Sequence, residues 1–120
     1  MSLEVIVLVL AGLGCTWTAV LALAFLFNPA QGLQMTDHHE NQLPRVMSGR
    51  YIFLVLLAIA ALVYRDFVVI AFLYTGFAFL GFADAFIYAR VRKPVGKHLA
   101  AGVTATIIAV LSIAALLTGA

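Results

Sequence analysis

Apolar residues run almost without a break over 3–27, 47–64, 67–89 and 98–118, and polar residues collect between these runs. A helix crossing about 30 Å of hydrocarbon needs roughly 20 apolar residues, with about 17 to 25 as the working range. Each run falls within or at the edge of that range, so the pattern predicts four transmembrane helices. A closed barrel would instead alternate apolar and polar positions in short strands, and these runs are continuous. The first run stops at Asn28-Pro29, where proline lacks a backbone donor and disfavours helix in the residue before it. Beyond it, 30–44 carries Gln31, Gln34, Asp37, His38, His39, Glu40, Asn41 and Gln42 without helical or strand periodicity. The whole polar segment 28–46 is expected to be the one substantial loop. Only Arg65 and Asp66 separate the second and third runs, which predicts a tight helical hairpin with Asp66 as the N-cap of the third helix. Pro94 and Gly96 mark a turn before the fourth run. No internal repeat is visible.

Composition changes the picture from apolar to membrane-embedded. The 120 residues are 65% hydrophobic and 10% charged, against about 25% charged in soluble domains. A domain this small has too little interior to hide that much apolar surface from water. The expected architecture is a single all-α transmembrane domain over 1–120, a four-helix bundle. The first run has no basic segment before it and is too long for the roughly 7 to 15 apolar residues of a secretory signal, so it is expected to be a retained helix. The single Cys15 rules out an intrachain disulfide.

Net charge is only +2, too small to argue for nucleic acid as a partner. Placement is more informative than size. Four crossings put Arg45, Arg50, Arg90, Arg92, Lys93 and Lys97 on or near one face and Arg65 alone on the other. The excess of basic residues faces the cytoplasm in most membrane proteins. Both termini are therefore expected on the non-cytoplasmic side of a cell (inner) membrane.

Ionisable residues within spans cost roughly 2.5 to 3.5 kcal/mol each on insertion scales, so they point to the protein interior or a watery cavity. Arg50, Asp84 and His98 all lie near cytoplasmic helix ends and are expected to converge as the catalytic set, with Arg50 pairing with Asp84 across the second and third spans. Tyr74, Phe77, Gly81, Asp84 and Tyr88 share one helical face. Tyr51, Tyr74, Phe77 and Tyr88 are the expected substrate-binding residues. After His98, the small residues Ala101, Gly102, Ala105 and Ala109 allow close helix approach. Thr16, Trp17 and Thr18 in the first span read as core packing with back-bonded threonines, and Gly12 and Gly14 as packing positions. Adjacent residues rarely aim at one ion from a loop, so Asp37-His38-His39-Glu40 is expected to hold no metal. No cofactor is expected, since phosphate-cradling loops, nucleophile motifs and haem attachment signatures are absent.

On Pro29, Ser48-Gly49-Arg50, Asp84-Ala85 and His98 with its following small residues, the chain resembles an uncharacterised family of small four-helix integral membrane proteins. That family is loosely similar to DoxX-like proteins, and the resemblance covers most of the chain from Pro29 onward. Tyr51 stands where the family carries an acidic residue. The resemblance implies a shared polar site of Arg50, Asp84 and His98 and no particular activity. Three functions fit the residues. The first is an intramembrane acid-base enzyme, of isomerase, cyclase or epoxide-opening type, acting on a lipophilic small molecule. The second is a small proton-coupled transporter using Asp84. The third is a non-catalytic membrane subunit in which the polar trio fixes helix register. The expected partners are the lipid bilayer, a lipophilic small molecule and further copies of the chain.

Overall fold

The computed structural model describes residues 1–119, the surroundings of Gly12 and Gly14 excepted, and every regular element in it is helical. In chain order these are α1 (Leu3–Phe27), α2 (Pro29–Met35), a single 3-10 turn (Glu40–Gln42), α3 (Leu43–Tyr64), α4 (Phe67–Arg90) and α5 (Gly96–Leu117). Four helices, α1, α3, α4 and α5, are long and apolar enough to cross a membrane. The α1 bounds coincide with the apolar run, whereas α3 begins four residues before its run. Pro44 sits in the first turn of α3, where its missing N–H has no carbonyl partner to lose, so the helix starts ahead of the apolar stretch. The chain divides into two compact units, Met1–Gly49 and a second that begins at Arg50.

The first unit corrects the expectation of a plain loop over 28–46. Asn28 does end α1, its N–H donating to the Ala24 carbonyl at 2.8 Å, but its side-chain oxygen also accepts from the Gln31 N–H at 3.2 Å and so caps α2. Pro29 follows at the first helical position, for which its fixed φ is suited. The same Asn-Pro pair that stops one helix starts the next. Gly32 lets α2 fold back on α1: a Cβ there would lie 2.7 Å from the Phe25 ring, and Gly32 is buried. Thr36 closes α2 by donating to the Gly32 carbonyl at 2.8 Å, and Asp37 turns the chain with φ 57°. Trp17 is exposed rather than packed in a core, because the apolar window of α1 buries none of its residues. The packing role expected of Gly12 and Gly14 lies outside the described residues.

In the second unit the Asp66 cap forms as expected, its carboxylate accepting from the Val68 and Val69 N–H groups at 2.8 and 3.3 Å. Arg65 makes the two-residue turn by adopting φ 59°. The turn is tight but the hairpin is not, since the close helix pair is α4 with α5, and α3 makes no comparable backbone approach to either. The seam between α4 and α5 is built of small residues: Ala78, Gly81 and Ala85 on one side, Gly102, Ala105, Ala109 and Ser112 on the other, all buried. At its centre a Cβ on Gly81 would stand 2.7 Å from the Gly102 nitrogen and 3.0 Å from the His98 carbonyl oxygen. Between helices in lipid no hydrophobic drive remains, so association depends on backbone closeness that only such residues permit.

Candidate functional site

Packing at Gly81 and Gly102 fixes which side chains meet one turn along the seam. Asp84 lies three residues from Gly81, His98 four residues from Gly102, and the antiparallel course of α4 and α5 brings the two level. His98 Nδ1 stands 3.8 Å from Asp84 Oδ2, with the side chains 32% and 39% exposed. That separation is within ion-pair range and longer than a direct hydrogen bond. The imidazole is held from its other side by Tyr88, whose ring stacks on it at 5.0 Å between centroids and 18° between planes. This flat stacked contact sets the plane of the imidazole.

The pair opens onto a partly open cavity of about 500 Å³ within the second unit. Tyr51, Leu54, Val55 and Ala58 of α3 form one wall, Tyr74, Phe77, Leu80 and Gly81 of α4 a second, and Ala100, Ala101, Thr104, Ala105 and Ile108 of α5 the third. The lining is overwhelmingly hydrocarbon, with its carboxylate and imidazole at one end. From Asp84 to Tyr74 and from His98 to Ile108 is ten residues each, so the cavity runs about 15 Å along the helices. Half the hydrocarbon thickness of a bilayer is also about 15 Å.

Of the seven residues expected at the site, Asp84, His98, Tyr51, Tyr74 and Phe77 line this cavity, and Tyr88 adjoins it through His98. Tyr74 and Phe77 pack edge to face at 5.1 Å. Arg50 does not join them. Among the described residues the ion-pair partner of Asp84 is His98, and Arg50 is exposed with no carboxylate within 4.0 Å. Helical phase explains the miss. The α3 stripe facing the cavity is Tyr51, Leu54, Val55 and Ala58, and at 100° per residue Arg50 points about 90° off its centre. Leu54, Val55, Ala58 and Thr104 went unnoticed in the sequence; the three on α3 had one signal, the i, i+3, i+4, i+7 spacing from Tyr51, and Thr104 had none.

The loop cluster stays at the surface: His39 Nε2 lies 3.9 Å from Asp37 Oδ1, with both side chains more than three-quarters exposed. Among the described residues no group of three or more His, Cys, Asp or Glu side chains is placed to hold a metal ion. At the end of α4, the Arg90 guanidinium lies 5.7 Å over the Phe86 ring. No family model, curated protein or solved structure matches the chain.

Proposed function

We propose that the protein is a multi-pass membrane enzyme of the acid-base kind, in which Asp84 and His98 exchange a proton with a lipophilic small molecule held in the cavity. The observation that carries this reading is a carboxylate and an imidazole 3.8 Å apart at the end of an otherwise apolar chamber. With one proton shared between them the two side chains form either an ion pair or two neutral groups, and both of those states have zero net charge. A lone charge at that depth costs several kcal/mol, which is a reason for polar residues in spans to meet. Proton movement between the two groups by way of the bound molecule therefore changes the reactivity of each at low electrostatic cost. In the ion-pair state Asp84 is an ionised base and His98 an acid; after transfer the roles reverse. A group that can both take and return a proton serves double-bond migration, enolisation or epoxide opening. Tyr88 holds the imidazole plane, and Tyr51, Tyr74 and Phe77 shape the chamber. Arg50 has no part in this step.

Orientation belongs to the same proposal: the basic residues Arg45, Arg50, Arg90, Arg92, Lys93 and Lys97 face the cytoplasm, both termini lie on the opposite side of an inner membrane, and the pair sits in the cytoplasmic leaflet. The resemblance to DoxX-like membrane proteins is carried forward on its residues alone. So is assembly into a homo-oligomer.

The test uses proteoliposomes in deuterated buffer supplied with long-chain β,γ-unsaturated ketones and long-chain epoxides. Conversion with deuterium incorporation, faster than in protein-free liposomes and reduced about 100-fold or more by Asp84→Asn or His98→Gln, is the expected result. Equal rates for all three proteins with every substrate would end the acid-base reading and leave a non-catalytic subunit in its place.

A further inference from the structure

Among the described residues, the serine and threonine hydroxyls of α3, α4 and α5 follow one rule with one exception. Ser48, Thr75, Thr106, Ser112 and Thr118 each donate to a carbonyl one turn back, at 2.7 to 3.2 Å. That is how serine and threonine usually satisfy themselves where no water is at hand. Thr104 lies on α5 only two residues from Thr106, and among the described residues it donates to nothing. It lines the cavity instead. Eight residues from the start of α5, it is about 12 Å into the span, too deep for lipid headgroups or bulk water to serve it. A hydroxyl moved into hydrocarbon without a partner costs at least about 1 kcal/mol, and a back-bond one turn away would remove that cost. An unbonded hydroxyl on a residue of the cavity wall makes sense if something held there accepts from it or donates to it.

The contact between Gly81 and Gly102 gives the spacing. Asp84 is three residues to one side of it and Thr104 two to the other, which is about 8 Å along the helix axes. We infer that the cavity takes a lipophile carrying two oxygen functions about 8 Å apart, one met by Asp84 and His98 and the other by the Thr104 hydroxyl. This rests on the reading that Asp84 and His98 form a ligand site, and it adds a second polar contact, deep in the hydrocarbon, that sets which lipophile is held. The deep oxygen is a hydroxyl or carbonyl, because a threonine hydroxyl both donates and accepts, and no cation is present beside it to hold a carboxylate or phosphate.

Three alcohols of one chain length separate the possibilities: 1-dodecanol, 1,5-dodecanediol and 1,12-dodecanediol, titrated onto the detergent-solubilised full chain and counted by native mass spectrometry. In 1,5-dodecanediol the oxygens are about 7 Å apart in an extended chain, close to the axial span between the two contacts. It should bind about tenfold more tightly than 1-dodecanol, the worth of one buried hydrogen bond, and 1,12-dodecanediol should gain nothing. Thr104→Val keeps the side-chain shape and should erase the gain, while Thr106→Val, whose hydroxyl is already bonded to the Gly102 carbonyl, should preserve it. If all three alcohols bind equally, with affinity that falls in Asp84→Asn but not in Thr104→Val, the second contact is refuted and the Asp84–His98 site stands. If none of them binds, or binding ignores Asp84, both readings fail together.

Discussion

Replacing Gly81 by alanine adds one methyl group where the helices touch, and the outcome can be worked from the contacts. The new carbon would lie 2.7 Å from the Gly102 nitrogen, 2.9 Å from its Cα and 3.0 Å from the His98 carbonyl oxygen. All three neighbours are backbone, so no side-chain rotation relieves the crowding. Comfortable contact between such atoms needs about 3.5 to 4.0 Å, so α4 and α5 must part by roughly 1 Å. Overpacking of this kind costs about 1 to 3 kcal/mol, and a separation of that size also forfeits dispersion along the rest of the seam. Alanine returns about 1 kcal/mol through its better helix propensity. The balance is a loss of about 1 kcal/mol or more. Gly76, five residues earlier on α4, has nothing within 4 Å of a Cβ, so there the propensity gain stands alone and Gly76→Ala should stabilise by up to about 1 kcal/mol. Unfolding in mixed micelles of mild and denaturing detergent, followed by circular dichroism, reads both. The same chemical change should move the midpoint in opposite directions at the two sites. Equal shifts, or a Gly81→Ala protein as stable as the parent, would refute the claim that backbone contact at Gly81 holds the seam.

Three further outcomes follow from the same geometry. Asp66→Ala should lower stability by about 1 kcal/mol through loss of the cap on α4, and Asp66→Asn should leave it nearly unchanged, read in the same unfolding assay. A double-mutant cycle on Asp84→Asn and His98→Gln should return a coupling of about 0.5 to 1 kcal/mol, since the pair is only partly shielded; zero coupling would mean that the two side chains do not interact. Arg50→Ala should leave conversion of the lipophilic probes within about twofold of the parent, because its side chain points away from the chamber wall, whereas Tyr51→Ala should reduce it; loss of turnover in Arg50→Ala would restore the arginine to the site.

What could be read from the sequence was whatever the bilayer itself enforces. Helix length is tied to hydrocarbon thickness, so α1 and α4 were legible to within a residue, and the Asp66 cap followed from a carboxylate standing alone between two apolar runs. The sequence brings Asp84 and His98 to neighbouring helix ends because charge at depth is expensive, but it pairs Asp84 with Arg50 and not with the histidine. Two things were hidden. Asn28-Pro29 carries the same letters whether it ends a helix or begins one, and only the Asn28 side chain, bonded to Gln31, shows that it does both. Arg50 failed for a matter of rotation: depth along a helix can be counted from the sequence, but the direction a residue faces depends on which stripe the neighbours accept, and here that stripe is centred near Tyr51. Thr104 is subtler still, since nothing in the letters distinguishes it from Thr106.

The stand-off of α3 from the α4–α5 pair has a consequence for supply. Two helices tied by only Arg65 and Asp66, yet without close backbone contact along their length, leave the chamber between them partly open. If the chamber takes a lipophile as proposed, that molecule can reach the carboxylate and imidazole sideways out of the bilayer without shedding its hydrocarbon surroundings for water. On that proposal its working concentration would be set by partitioning into the membrane, which would favour sparingly soluble compounds over water-soluble ones before any contact with the protein is made.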